Sequence, residues 1–112
     1  MSQITTHILD TSRGIPAKMV TVVLFEKVGE EWIEVSMGIT NNDGRISNLI
    51  REGDILPFGI YKLKFETKAY FKALGIRAFY PMVEIIFEIS SAEHYHVPLL
   101  LNPYGYSTYR GS

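Results

Sequence analysis

Three histidines are the residues of this chain best suited to acid–base chemistry. They are His7, His94 and His96, and each falls in a segment whose alternating pattern predicts a β-strand. An unperturbed imidazole titrates near about pH 6.5, so each ring can take up or release a proton close to neutral pH. Because His94 and His96 lie two residues apart, their side chains are expected on the same face of a strand.

The histidine pair at 94 and 96 is open to two other interpretations. Two imidazoles on one strand face also have the spacing of zinc ligands, although the sequence fixes no third ligand. A histidine whose ring nitrogens are satisfied by neighbouring backbone groups, with no catalytic role, is the plainer alternative. Spacing alone leaves all three interpretations open.

Arg45 and the end of the chain carry the other reactive groups. Arg45 follows an Asn-Asn-Asp-Gly turn at 41–44, so its guanidinium begins a strand directly after a tight reversal. An isolated arginine in such a place is most often a solvated surface cation. The tail from Tyr106 to Ser112 gathers hydroxyl groups and a guanidinium where most chains fray.

Composition argues against several kinds of function. The 112 residues include 11 basic and 12 acidic ones, with a formal net charge of −1. No run of Lys or Arg forms a patch that could neutralise phosphates, so no nucleic-acid partner is expected. Because the chain has no cysteine, thiolate catalysis, disulfides and Cys-ligated zinc are excluded.

Neither a secretory signal nor a membrane span is predicted. The first residues, Met-Ser-Gln-Ile-Thr-Thr-His, lack both the basic and the apolar region of a signal peptide. The longest purely apolar runs are only a few residues long, too short to cross a bilayer. We therefore expect a cytoplasmic protein, with a processed periplasmic or peroxisomal form as the alternative.

Strands are the elements expected to position these groups, because the dominant apolar period is two. The segment 19–28 is apolar on both faces, so a partner subunit is one way to cover the face that does not join the core. Strands are predicted over 19–28, 33–39, 59–67, 83–89, 95–101 and 105–109.

One short helix is predicted over 68–74, with Thr67 as its cap and Gly75 as its stop. About seven short strands in a chain of this size are typical of a two-sheet sandwich. Residues 1–112 are therefore expected to form one all-β domain with Greek-key connections and one short helix.

Three segments carry a family resemblance. They are Ile-Thr-Thr-His-Ile-Leu-Asp-Thr at 4–11 with Gly-Ile-Pro-Ala at 14–17, Asp-Gly-Arg at 43–45, and His-Tyr-His-Val-Pro-Leu-Leu-Leu at 94–101 running on to Tyr-Arg-Gly-Ser at 109–112. With these segments the whole chain resembles the 5-hydroxyisourate hydrolases, also called transthyretin-like proteins. The terminal Tyr-Arg-Gly-Ser separates these hydrolases from the transthyretins that carry thyroid hormone. Asn102 departs from the usual pattern, in which Ser is more frequent.

The resemblance implies a transthyretin-like β-sandwich that opens the ring of 5-hydroxyisourate without a metal or another cofactor. It also implies a homotetramer, a dimer of dimers, with active sites at the mouths of a shared channel. His94 belongs to the motif but receives no catalytic role. The catalytic residues implied are His7, Arg45, His96 and Ser112, and the substrate-binding residues are His7, Arg45, Tyr109 and Arg110.

These residues suit hydrolysis of a cyclic amide. His7 is the candidate base that deprotonates water, and His96 orients either that base or the water. Arg45 is placed to stabilise the developing oxyanion. Three rivals are a carrier of small hydrophobic ligands, a β-sandwich interaction module without chemistry, and a zinc hydrolase.

Overall fold

Nine strands and one helix make up the fold, which a computed structural model describes for residues 2–112. The first sheet contains β1 (Ile4–Asp10), β2 (Ile15–Pro16), β5 (Arg45–Ile46), β8 (Tyr95–Asn102) and β9 (Gly105–Thr108). The second sheet contains β3 (Thr21–Val28), β4 (Glu31–Ile39), β6 (Gly59–Phe65) and β7 (Val83–Ile89). The helix α1 (Thr67–Ala73) follows β6. The predicted two-sheet sandwich with one short helix is confirmed.

Strand β1 lies inside the first sheet and joins its parts. One edge of β1 pairs in parallel with β8, so residues from the two ends of the chain become neighbours. Its other edge pairs antiparallel with the short strands β2 and β5. In these registers Thr5 lies opposite His96, and His7 lies opposite Arg45.

Alternation along β1 separates a core face from an outward face. Ile4 and Ile8 are fully buried in the core, whereas His7 is only half-buried and faces outwards. The core between the sheets is continuous, which is what holds β1 rigid under the outward side chains. Its largest fully buried side chains are Tyr61, Phe65, Phe71, Ile4, Ile8, Leu24, Leu63, Ile89 and Leu99.

The predicted turn at 41–44 brings Arg45 back against β1. Gly44 has φ +71°, and a Cβ there would lie 2.5 Å from the Ile8 carbonyl oxygen. The Ile8 N–H donates to the Gly44 carbonyl at 2.8 Å, and the Asn41 side-chain oxygen accepts from the backbone N–H of Arg45. Only glycine fits this approach, which places Arg45 directly beside His7.

The helix is where predicted, but its start is different. It covers Thr67–Ala73, and Glu66 rather than Thr67 is the N-cap residue, without a side-chain capping hydrogen bond. Thr67 is buried in the first turn because it faces the core, so its hydroxyl does not cap the helix. Gly75, with φ +73°, follows the helix as predicted. No helix within residues 2–112 is long and apolar enough to cross a membrane.

The outward face of the second sheet is partly covered by its own side chains. Val23 and Phe25 are half-buried on the outward face of β3. The Lys62 ammonium lies 5.1 Å from the Phe25 ring centroid and 4.5 Å from that of Trp32. The chain therefore supplies some of the cover that the doubly apolar strand 19–28 requires.

Candidate active site

A cleft of about 230 Å³ opens on the outward face of the first sheet. It combines two imidazoles, from His96 on β8 and from His94 just before it, with the Arg45 guanidinium on β5 and the last residue of the chain. The lining residues are Thr5, Thr6, Arg45, Ile46, Ser47, His94, His96 and Ser112.

Strand register accounts for this assembly. Thr5 and His7 both face outwards because they are two residues apart on β1. Their partners across the pairing, His96 on β8 and Arg45 on β5, therefore project from the same face of the sheet. His7 lies at the side of the cleft, paired with Arg45.

The two histidines near the start of β8 are joined by one hydroxyl group. The Thr5 Oγ1 lies 2.7 Å from His94 Nε2 and 2.7 Å from His96 Nδ1. The two rings are stacked at 6.1 Å between centroids, so they do share a face as expected. The sequence pattern predicted His94 within a strand. In the structure it lies just before β8.

Burial lowers the pKa of His7 below its ordinary value, and the positive charge of Arg45 lowers it further. Hydrogen bonding to the Asp43 backbone and the charge of the Asp43 carboxylate act in the opposite direction and are weaker. The net pKa is lowered, so the ring is neutral at pH 7 and can accept a proton.

The pKa of His96 is also lowered, mainly by burial. The charges of His94, Arg45 and His7 contribute in the same direction, and only a hydrogen bond to the Thr5 backbone opposes them. Each positive group in this cluster makes it harder to protonate the next. His96 is therefore a neutral hydrogen-bonding group at pH 7.

The C-terminal tail is docked on β8 instead of fraying. The Gly111 N–H donates to the His96 carbonyl at 2.9 Å, and the two residues form an isolated β-bridge. A Cβ at Gly111 would overlap the His96 ring, so the tail passes directly over that imidazole. The next residue, Ser112, thereby lines the cleft with Arg45 and His96.

Tyr109 and Arg110 point elsewhere. The Arg110 guanidinium pairs with Glu93 at 2.5 Å and lies 4.4 Å from the Tyr95 ring centroid. Tyr109 is 60% exposed, and both residues line a neighbouring groove of about 290 Å³ rather than the cleft. The structure thus brings together His7, Arg45, His96 and Ser112, while substrate binding by Tyr109 and Arg110 stays a prediction.

The sequence did not predict that Thr5 belongs to the site or that it contacts His94. Thr5 stands two residues before His7 and so shares its face, but its meeting with the histidines depends on the parallel pairing of β1 with β8. The zinc alternative needs a third ligand. Within residues 2–112, no three His, Asp or Glu side chains cluster as metal ligands would.

A larger groove, of about 620 Å³, lies between β2 and α1. Its lining includes Arg13, Lys18 and Tyr70 but no histidine and no carboxylate. It therefore offers no base that titrates near neutral pH. Chemistry, not volume, identifies the smaller cleft as the candidate active site.

Comparison with known proteins finds relatives that are named as 5-hydroxyisourate hydrolases. A 5-hydroxyisourate hydrolase of Mus musculus is 45% identical over 114 residues, covering 99% of this chain and 96% of that protein. A probable 5-hydroxyisourate hydrolase of Schizosaccharomyces pombe is 47% identical, covering 97% of this chain and 90% of that protein.

Two solved structures share the fold along almost the whole chain. The Klebsiella pneumoniae 5-hydroxyisourate hydrolase is 40% identical with a TM-score of 0.87, covering 99% of this chain and 100% of that one. Sea bream transthyretin in complex with thyroxine is 33% identical with a TM-score of 0.91, covering 97% of this chain and 94% of that one. The family model described as HIUase/Transthyretin matches residues 4–111. The chain belongs to the HIUase/Transthyretin family.

Proposed function

We propose that this chain is a hydrolase that opens the ring of 5-hydroxyisourate to give 2-oxo-4-hydroxy-4-carboxy-5-ureidoimidazoline. Its relatives include proteins named as 5-hydroxyisourate hydrolases, and they align with nearly the whole chain. The reaction adds water to a ring carbonyl and breaks the adjoining C–N bond. It requires a base, an oxyanion stabiliser and a proton for the leaving nitrogen.

One observation carries the proposal: the C-terminal tail packs onto His96 so that Ser112 shares a cleft with Arg45. Overall backbone likeness does not separate hydrolase from carrier, because the transthyretin neighbour has the higher TM-score. The terminal residues support the hydrolase instead, since the Tyr-Arg-Gly-Ser ending resembles that of the hydrolases and brings Ser112 to the cleft beside the imidazoles. A ligand carrier has no need of such a cluster.

His7 serves as the base in this proposal. Its lowered pKa keeps the ring neutral at pH 7, so it can take a proton from water as the water oxygen attacks the carbonyl carbon. His96 accepts a hydrogen bond from the same water and directs its lone pair. The imidazolium formed at His7 then returns its proton to the ring nitrogen as the C–N bond breaks.

Arg45 stabilises the oxyanion that forms during attack. None of the ion pairs between described residues includes Arg45, so its guanidinium is not neutralised by a carboxylate partner. Its planar donors match the carbonyl oxygens of a flat ring. This interaction strengthens as negative charge develops, so it favours the transition state over the bound substrate.

The tail contributes in two ways. The Ser112 hydroxyl or its terminal carboxylate positions the attacking water. Tyr109 lines the neighbouring groove, so its hydrogen bond to the substrate ring requires the ring to reach that groove or the side chain to turn towards the cleft. Arg110 anchors the tail through Glu93 and Tyr95 in this chain, and any direct contact with substrate requires it to leave that pairing.

We further propose that the chain assembles as a homotetramer, a dimer of dimers. Support comes from apolar side chains on edge strands of both sheets: Ile86 on β7 is 62% exposed, and Tyr106 on β9 is 43% exposed. A partner would cover them. Light scattering should give a tetramer at micromolar concentration, and a monodisperse monomer would contradict this part of the proposal.

The activity is tested by following the ultraviolet absorbance of freshly generated 5-hydroxyisourate with and without the protein. Clear acceleration of its decay, unaffected by a chelator, is expected. Decay at the spontaneous rate would refute hydrolase function and favour the carrier alternative. Acceleration that disappears with chelator would instead support a zinc hydrolase.

A further inference from the structure

Thr5 is a buried hydroxyl group placed between the two imidazoles of the cleft. The residue is 8% exposed, and both ring contacts are 2.7 Å, within the range of hydrogen bonds. The contacts use different ring atoms, Nε2 of His94 and Nδ1 of His96. The His96 ring also has a hydrogen bond to the Thr5 backbone.

Proton counting restricts what these three groups can do together. A hydroxyl has one proton and two lone pairs, so Thr5 can donate to at most one ring and must accept from at least one of them. If Thr5 donates to His94 Nε2, then His96 must carry its proton on Nδ1, and its Nε2 has a free lone pair. If Thr5 donates to His96 Nδ1, then the proton of His96 is on Nε2. The tautomers of the two rings are therefore linked.

We infer that Thr5 and His94 are positioning residues that hold His96 in the tautomer protonated on Nδ1. In this arrangement His96 Nδ1–H donates to Thr5, and Thr5 O–H donates to His94 Nε2. His96 Nε2 is left as an acceptor for the attacking water. This inference rests on the proposed hydrolysis for its catalytic consequence, but the tautomer itself is a property of the free protein.

The charges around His96 favour this tautomer. Arg45 on β5 lines the same cleft, and a guanidinium has only donors, so it is better matched by a lone pair than by an N–H group. His7 on β1 adds positive potential when it is protonated, and Ser112 also lines the cleft. The stacked His94 ring completes the surroundings.

The first test reads the tautomer without turnover. Ring ¹⁵N chemical shifts of His96, measured at a pH where the ring is neutral, should show protonated Nδ1 and bare Nε2. Thr5→Val keeps the shape of the side chain but removes the hydroxyl, so the proton should move largely to Nε2. Thr5→Ser should retain the parent pattern, and His94→Phe should release the preference because Thr5 loses its acceptor. A parent ring protonated on Nε2, or an unchanged pattern in Thr5→Val, would overturn the inference.

The second test reads the consequence for hydrolysis. Thr5→Val should lower kcat about tenfold and leave KM within about twofold of the parent, which is the size of effect expected when a residue that orients a functional histidine is lost. Thr5→Ser should recover most of the lost kcat. A changed tautomer with kcat within about twofold of an active parent would refute the positioning role. Lack of activity in the parent would instead refute the proposed function, while the chemical shifts still decide the tautomer.

Discussion

The outward faces of the two sheets differ in how their charged groups are arranged. On the second sheet, outward lysines have acidic partners: Lys62 lies 3.0 Å from Glu84, and Lys64 lies 3.4 Å from Glu66. Such pairs are partly solvated and contribute little to stability, at most about 1 kcal/mol each. They are ordinary ion pairs on a half-exposed sheet face.

The first sheet instead gathers groups whose charged forms are all positive. Arg45, His7, His94 and His96 lie together, and burial and mutual repulsion lower the pKa of His7 and of His96. Folding gains nothing from crowding such groups. The difference between the faces indicates that the cluster on the first sheet serves chemistry, whereas the charges on the second sheet are ordinary surface.

Single substitutions on the two faces should have the most unequal effects. His7→Asn and Arg45→Gln should each lower kcat/KM about a hundredfold or more, because they remove proton transfer and oxyanion stabilisation. Lys64→Gln is the matched control on the second sheet and should stay within about twofold of the parent. The measurement is initial rates of 5-hydroxyisourate decay, with circular dichroism to check the fold. Equal losses in Arg45→Gln and Lys64→Gln would erase the contrast.

Removing the tail should lower the rate of hydrolysis nearly as much as these substitutions do. Deleting Tyr109 to Ser112, or appending several residues after Ser112, should reduce hydrolysis by about two orders of magnitude because the terminus lines the cleft. The same tag before Met1 should be tolerated. Thermal unfolding of both tagged proteins controls for stability. Full activity with a C-terminal tag would mean that the tail is not part of the site.

A single substitution in the tail tests whether its contact with His96 matters when no residue is deleted. Gly111→Ala places a Cβ against the His96 ring and should lower kcat by about tenfold as the ring or the tail shifts. Gly105→Ala is the control, because its Cβ would meet only the Asn102 side chain at 3.7 Å. Rates of the two variants should therefore differ, and indistinguishable rates would argue against contact between tail and imidazole.

The smallest expected effect is a pH dependence of stability. Because His7 and His96 have lowered pKa values in the folded state, the unfolded chain binds more protons just below about pH 6.5. Stability should be full above that pH and decline as the pH falls through the lowered values. In Arg45→Gln the decline should be shallower, since the pKa values of both rings rise. Thermal melts at several pH values test this, and equal slopes in the two proteins would contradict it.

Local patterns in the sequence were enough to predict the sandwich. Alternation located the long strands, and the turn chemistry at 41–44 anticipated the tight reversal before Arg45. The cap of α1 was wrong because Thr67 is drawn into the core, which outweighs its capping preference. The two-residue strand β2 was not predicted, since so short a segment shows no periodicity.

The site was less predictable because it depends on long-range pairing. Resemblance supplied His7, Arg45 and His96, but only the parallel register of β1 with β8 brings Thr5 between two imidazoles. No local pattern contains that register. Likewise, the direction of Arg110 follows from its pairing with Glu93, which lies 17 positions away in sequence.

The central claim is that a purine-derived ring binds on the outward face of the first sheet. The most direct measurement is a crystal structure of the full chain with urate, a stable flat ring that carries similar carbonyl groups. The ring should lie over His7 and His96, with the Arg45 guanidinium about 3 Å from a ring carbonyl oxygen. Urate bound in the groove between β2 and α1, or on the second sheet, with this cleft empty, would contradict the account.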